Sequence, residues 1–263
     1  MESKLLRRLE RIYVLLVFAF LYVPIAIIVV YSFNATKSNV VFSGVTLDWY
    51  TKLFNDEDVI TAFVNSLTVA VICTAFSAII GTVGAIGLQR QKFKGKGAIN
   101  LLTFIPIVIP EIIMGISLLV FFSALQMDFG IFTLVLAHTT FCIPFVLINV
   151  KSRLAGFDIS IEEAAMDLGA SKFTVFRTIT LPLIFPAVIS GAMLAFALSL
   201  DDVIINFFVS GPESTTLPIK IFSMLRFGLS PEINALCTIM LLATFVVLIL
   251  SQVTRLKKKK KIL

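Results

Sequence analysis

Three carboxylates occur inside otherwise apolar segments, where charge is costly and usually functional. Glu111 follows two prolines spaced by four residues, which should kink its helix near the middle of a span. Asp201 and Asp202 are adjacent in a later span, about 10 Å below its outer edge if the helix continues. We interpret these acids as the lining of a pathway for a cationic solute. The alternative is that one of them pairs with a buried base or caps a helix break.

The carboxylates would neutralise the charges of such a solute, and aromatic faces such as those of Phe207 and Phe208 could hold its cations, although packing explains most phenylalanines. His138, the single histidine, lies in an apolar segment. A hydrogen-bonded structural role is favoured there over a gate or a proton relay.

The polar segment 151–181 contains a second group of residues with a recognisable pattern. Ser160 precedes Glu163 by three residues, which predicts a capping box at the start of a short helix over 161–168. Gly169 follows at the position where a helix often ends on a left-handed residue. A short helix that ends on a glycine is therefore expected in this segment.

A second short helix should follow at once, with Ser171 as its cap and residues 172–179 as its body. Leu181 and Pro182 would end the loop before the next apolar segment. The sequence thus predicts two short helices, joined at a glycine, at the membrane surface. Glu163 could contact a partner or merely close its own capping box, and the two alternatives are equal.

The elements that must position these residues are apolar segments of about 20 residues, the length that spans a bilayer. Hydrophobic residues make up 58% of the chain and charged residues 14%, against about 25% charged in soluble domains. The sequence predicts an all-α integral membrane protein with six transmembrane helices in one domain, residues 1–263. The apolar segments are 12–32, 61–88, 100–125, 129–150, 183–209 and 233–253.

The basic residues predict the orientation. Of the 22 lysines and arginines, 18 fall in the two termini and in the loops around 90–96 and 151–177. Lysine and arginine accumulate on the cytoplasmic side, so both termini are predicted to be cytoplasmic. The charge of +6 is therefore attributed to topology and to contact with anionic membrane lipid, and no nucleic-acid partner is expected.

Catalytic motifs are absent from the sequence. It contains no Gly-x-x-x-x-Gly-Lys-Ser/Thr loop for nucleotide phosphates, no nucleophile–base pair and no metal-ligand spacing. Its three cysteines lie in or beside apolar segments, as buried free thiols do. We predict that the chain is not an enzyme and binds neither a cofactor nor a metal.

The polar segment 151–181, hereafter the docking segment, resembles a known signature. Permease subunits of binding-protein-dependent ABC importers carry Glu-Ala-Ala, three residues, Gly, nine residues, Ile, one residue and Leu-Pro in a cytoplasmic loop before the fifth of six spans. The matching residues are Glu163, Ala164, Ala165, Gly169, Ile179, Leu181 and Pro182. Within that family the chain is most similar to the spermidine/putrescine permeases, through residues 138–145, 199–203 and 210–212.

The resemblance implies the type I ABC importer permease fold in a bacterial cytoplasmic (inner) membrane. It implies that the loop forms coupling helices that dock on an ATPase dimer, which binds ATP and Mg and hydrolyses the ATP. It also implies a second permease subunit and an extracytoplasmic solute-binding protein, with transport by alternating access.

Other functions remain open from the sequence. An ABC permease of the same kind could carry another small solute. For a neutral solute, neutralising residues 111, 201 and 202 would affect uptake less. An ion-coupled secondary transporter would need no ATPase and would leave the Glu-Ala-Ala loop unexplained. A membrane scaffold would leave the intramembrane acids unexplained.

Overall fold

The structure is a computed structural model that describes residues 2–37, 41–226, 228 and 230–259. Lys260 and Lys261 of the predicted C-terminal basic run lie outside the described residues. The α-helices are α1 Glu2–Tyr31, α2 Asp48–Phe54, α3 Glu57–Arg90, α4 Lys96–Val108, α5 Glu111–Ala124, α6 Ile131–Ala155, α7 Ser160–Asp167, α8 Lys172–Val175, α9 Leu181–Asp201, α10 Ile204–Val209, α11 Leu217–Leu225 and α12 Pro231–Lys259, with a π-helical turn Phe176–Thr180 between α8 and α9.

The chain forms two compact units. The first contains Met1–Ile60 and Ile221–Leu263, and in it α12 packs against α1 and α2. The turn after α1 is held by Asn34, which is buried. Its Oδ1 accepts the Ser43 N–H at 3.0 Å, and its carbonyl accepts the Trp49 indole N–H at 2.8 Å. These bonds satisfy a buried amide that would otherwise destabilise the turn.

The second unit, Thr61–Lys220, is organised around α6. One helical stripe of α6 is fully buried, with Leu134, His138, Cys142 and Val146 each 0% exposed. The spacing of four residues places these side chains on one face of the helix. α9 packs along α6, and α10 packs against α5. The candidate functional residues from 90 to 202 all lie in this unit.

Four helical stretches are long and apolar enough to cross a membrane, namely Leu9–Tyr31, Glu57–Arg90, Ile131–Ala155 and Lys172–Asp201. α4 and α5 qualify only as a pair, and they are bent by 107° at the break between them. The apolar part of α12, Pro231–Val246, is shorter than a usual span. The all-helical fold is therefore confirmed, whereas four or five of the six predicted spans are found.

The expected kink in the third span is instead a break. Ile109 and Pro110 are extended, with ψ values of 132° and 133°, so that α4 ends before them and α5 begins after them. The physical reason is that the ring of a proline disfavours helical geometry in the residue before it. The clash of each proline ring with the preceding turn predicts only a kink, and the restriction on Ile109 turns that kink into a break.

Close helix packing makes a glycine replacement testable. A Cβ on Gly191 of α9 would lie 2.8 Å from the Val146 Cα of α6, whereas a Cβ on Gly87 of α3 would meet nothing within 4 Å. We expect Gly191→Ala to destabilise the protein by about 1–3 kcal/mol through overpacking. Gly87→Ala should instead stabilise its helix by roughly 0.5–1 kcal/mol. Thermal unfolding of the two variants in detergent checks this, and equal melting temperatures would contradict it.

Candidate functional site

The first helix of the docking segment begins differently from the prediction. No side-chain bond caps α7 at Ser160, so the expected capping box with Glu163 is wrong. The carboxylate of Asp158 takes that place and accepts the Ser160 N–H at 3.0 Å. This bond holds the pKa of Asp158 below its ordinary value. The Asp158 carboxylate thus binds the N–H that the Glu163 side chain would accept in a capping box, and Glu163 is left exposed.

The end of α7 forms as the glycine predicts. Gly169 has a φ of +90°. Its N–H donates to the Met166 carbonyl at 2.9 Å, and the Ala170 N–H donates to the Ala165 carbonyl at 3.1 Å. These two bonds make a Schellman motif, which satisfies carbonyls at the helix end and requires a left-handed residue.

The second helix begins as predicted, because the Ser171 hydroxyl accepts the Thr174 N–H at 3.2 Å. It does not end at Ile179. α8 passes through the π-helical turn Phe176–Thr180 directly into α9. Pro182 lacks an N–H and its ring would crowd the carbonyl four residues earlier, and the wider π turn relieves that crowding.

The docking segment presents an apolar surface that the sequence argument missed. Leu168 is 90% exposed and Phe173 is 70% exposed, on either side of Gly169. Ala164 and Glu163 are exposed beside them. Large apolar side chains in an otherwise polar loop were the available signal, since exposed apolar patches mark interaction sites.

A buried polar cluster lies beneath this surface. The Glu162 side chain, 8% exposed, forms an ion pair with Arg90 at the end of α3. The Thr180 hydroxyl donates a hydrogen bond to the same carboxylate oxygen, Oε1. Sequence reasoning selected Glu163 of this acidic pair, because the motif begins there. Helical periodicity alone does not indicate which of two adjacent acids faces the protein.

The fifth span ends earlier than predicted. α9 stops at Asp201, and Asp202 is extended, with φ −65° and ψ 129°. The depth of about 10 Å expected for a continuous helix therefore does not apply. Asp202 is buried, and its two carboxylate oxygens accept the N–H groups of Ile205 and Asn206 at 3.3 and 2.9 Å. Asp202 thus caps α10, which was the alternative considered for one of the acids.

His138 belongs to the same buried network. Its Nδ1 is 2.7 Å from the Ser199 hydroxyl, and its Nε2 is 2.8 Å from Asn206 Oδ1. The Asp202 carboxylate is 3.6 Å from Nε2. The imidazole therefore links α6, α9 and α10, in agreement with the hydrogen-bonded structural role expected for this histidine.

The other two acids are accessible. Glu111 begins α5 after the break and is exposed, rather than lying within a kinked helix. Asp201 is exposed at the end of α9. The breaks place Glu111 at the start of α5, and Asp201 and Asp202 shortly before α10, the helix that packs against α5.

The two phenylalanines after the break differ in environment. Phe208 packs on α5, where its ring would lie 2.6 Å from a Cβ placed on Gly115. Phe207 is 56% exposed. Among the described residues, no group of three or more His, Cys, Asp or Glu side chains is arranged to hold a metal ion.

Comparison with known proteins gives consistent matches. Residues 77–259 match the family model of the binding-protein-dependent transport system inner membrane component. The chain is 45% identical over 244 residues to the spermidine/putrescine transport system permease protein PotC of Escherichia coli K12, covering 93% of this chain and 92% of that protein. It is 47% identical over 245 residues to the putrescine transport system permease protein PotI of the same strain, covering 90% and 87%.

Solved structures share the fold. A chain from the crystal structure of a bacterial ABC transporter involved in the import of the acidic polysaccharide alginate superposes with a TM-score of 0.75. The identity is 15%, and the match covers 96% of this chain and 97% of that one. At this identity the likeness concerns the fold.

Proposed function

The chain belongs to the family of binding-protein-dependent transport system inner membrane components, and we propose that it is the permease subunit of an ATP-driven ABC importer of spermidine and putrescine. The observation that carries this proposal is the 45% identity to a spermidine/putrescine permease over 93% of the chain. The chain is a transport subunit, and ATP hydrolysis belongs to a partner.

The proposed topology has six spans in a single domain, with both termini cytoplasmic. The four long helices supply four spans, the bent pair α4–α5 supplies the third in sequence, and α12 supplies the last. The basic residues around 90–96 and 151–177 favour this orientation. The docking segment 151–181 then lies in the bacterial cytoplasm.

The proposed solute pathway passes the exposed carboxylates of Glu111 and Asp201. Both stand at helix breaks, where backbone without helical bonds is tolerated beside a water-filled cavity. Their charges suit the ammonium groups of a polyamine. Asp202 contributes indirectly, because its cap on α10 and its contact with His138 fix the position of the break.

The proposed coupling uses the surface around Gly169. Leu168 and Phe173 would enter an apolar cleft of the ATPase, while Glu163 would meet a basic residue at its edge. Ala164 and Ala165 let the partner backbone approach closely. The residues Ile179, Leu181 and Pro182 continue the motif into α9, through which movement of the docked segment would reach the membrane.

The proposed complex contains a second permease, two ATPase subunits that bind ATP and Mg, and an extracytoplasmic solute-binding protein. ATP binding would close the ATPase dimer and move the docking segment. The spans would then open outward to receive the polyamine, and hydrolysis would reset them. The apolar outer surface would face membrane lipid.

The test is uptake of labelled spermidine by cells that carry the whole transport system, with and without this chain. We expect uptake to require the chain, and excess unlabelled putrescine to compete for it. Purification of the tagged chain in mild detergent should also recover an ATPase. If spermidine uptake is the same with and without the chain, polyamines are not its cargo. Recovery of the chain without an ATPase would contradict the proposed complex.

A further inference from the structure

The buried carboxylate beside the docking motif joins three helices. Glu162 lies in α7 immediately before the exposed Glu163. Its Oε1 is bound both by the Arg90 guanidinium and by the Thr180 hydroxyl. Arg90 is the last residue of α3, and Thr180 immediately precedes α9. A single oxygen therefore connects the docking helix with the ends of two helices long enough to cross a membrane.

The contact resists separation. Thr180 is 1% exposed and the Glu162 side chain 8% exposed, so neither group can exchange its partner for bulk water without a local opening. A buried charge that loses its partner is strongly destabilising. Displacement of α7 alone would break both bonds, whereas joint displacement of α7, α3 and α9 would keep them.

The polar contacts of α7 are concentrated at this position. Within the described part of the chain, Glu162 is the α7 side chain that forms hydrogen bonds or ion pairs with other helices. The neighbouring residues Glu163, Ala164 and Met166 are exposed instead. α7 thus has an outer face free to meet a partner and one fixed inner attachment.

We infer that Glu162 is a positioning residue that transmits displacement of the docking helix to α3 and α9 through Arg90 and Thr180. The inference rests on the proposed function, because it takes α7 to be the element that an ATPase moves. The two adjacent acids then have different roles: Glu163 contacts the ATPase, and Glu162 attaches α7 to α3 and α9.

The test uses Glu162→Gln in the complete complex, reconstituted with its ATPase and solute-binding protein. Glutamine keeps the size of the side chain and a carbonyl that accepts the Thr180 bond, but it removes the ion pair. We expect the ATPase to copurify as with the wild type. Stimulation of ATP hydrolysis by spermidine-loaded binding protein, and uptake, should both fall at least about fivefold, the lower end of typical coupling between sites.

Two controls separate coupling from general stability. Arg90→Gln leaves a buried carboxylate unpaired, so it should lower the melting temperature more than the double variant Arg90→Gln, Glu162→Gln. Lys52→Gln breaks an ion pair with Glu232 whose lysine is 59% exposed, and it should leave uptake unchanged. Thr180→Val keeps the ion pair and should reduce the stimulation of ATP hydrolysis less than Glu162→Gln does. Thr180→Val provides a second test if Glu162→Gln folds poorly.

The outcomes are distinguishable. Wild-type stimulation and uptake in Glu162→Gln would overturn the inference and leave the proposed function intact. Loss of ATPase copurification in Glu162→Gln, equal to that in Glu163→Gln, would also overturn it, because Glu162 would then act in docking. If the wild-type chain retains no ATPase and imports no spermidine, the proposed function fails and the inference fails with it.

Discussion

Gly169→Pro should abolish spermidine uptake while the chain still inserts into the membrane. Gly169 has a φ of +90° and donates its N–H to the Met166 carbonyl. Proline fixes φ near −65° and has no N–H, so the Schellman motif cannot form. The two docking helices would lose their relative orientation, although no residue of a span is changed. Uptake of labelled spermidine, normalised to the amount of chain in the membrane fraction, measures the effect.

A matched pair of alanine variants isolates the role of the docking loop. Gly95 also has a φ of +90° and, like Gly169, has no atom within 4 Å of an added Cβ. Gly95→Ala and Gly169→Ala therefore introduce similar backbone strain, about 1–2 kcal/mol. Uptake should fall more in Gly169→Ala than in Gly95→Ala. Normal uptake by Gly169→Pro would refute the assignment of this loop to coupling.

Asp201→Asn is expected to lower the maximal rate of spermidine uptake by about tenfold or more. A charged hydrogen bond to an ammonium group contributes about 1.5–3 kcal/mol, and 1.4 kcal/mol corresponds to a factor of ten. Asparagine keeps the shape of the side chain and removes the charge. Initial rates of spermidine uptake at a saturating concentration of the solute-binding protein measure the step within the membrane, rather than delivery of spermidine by the binding protein.

The neighbouring acid is the control for this prediction. Asp202 caps α10 through both carboxylate oxygens, and asparagine keeps one acceptor oxygen, so Asp202→Asn should retain more uptake than Asp201→Asn. Asp202→Ala loses the cap and should destabilise the protein by about 1 kcal/mol. If Asp202→Asn abolishes uptake and Asp201→Asn does not, the two acids have been assigned the wrong way round.

Long apolar segments and fixed motifs were predictable from the sequence because their signals are local. The apolar helices, the left-handed Gly169 and the Ser171 cap each follow from a few neighbouring residues. The family could also be identified from the Glu-Ala-Ala spacing. These features require no knowledge of which helices meet.

The helix breaks could be predicted only in part. The prolines at 106 and 110 indicated distortion in the third span, but the extended Ile109 turned a kink into a bend of 107°. In the fifth span no proline or glycine marks the break at Asp202. Its cause is the aspartate itself, whose carboxylate caps the following helix and also faces His138 from another helix.

Polar pairs between residues far apart in the sequence could not be predicted from local sequence patterns. Glu162 and Glu163 are the same residue type and are adjacent in sequence. Glu162 is buried and Glu163 exposed because Arg90, which lies 72 residues away in the sequence, pairs with Glu162. The hydrogen bond from the Ser160 N–H to Asp158 could have been foreseen, because aspartate side chains commonly accept the N–H two residues further along the chain. The exposed Leu168 and Phe173 could likewise have been found as apolar residues in a polar loop.

The most direct test is uptake into liposomes that contain the complete complex, with spermidine-loaded binding protein outside and an ATP-regenerating system inside, in the orientation that places the docking loop in the lumen. We predict that spermidine accumulates in the lumen only when ATP and Mg are present and that an ATPase-dead partner stops it. Accumulation driven by an imposed ion gradient without ATP would contradict the account and identify a secondary transporter.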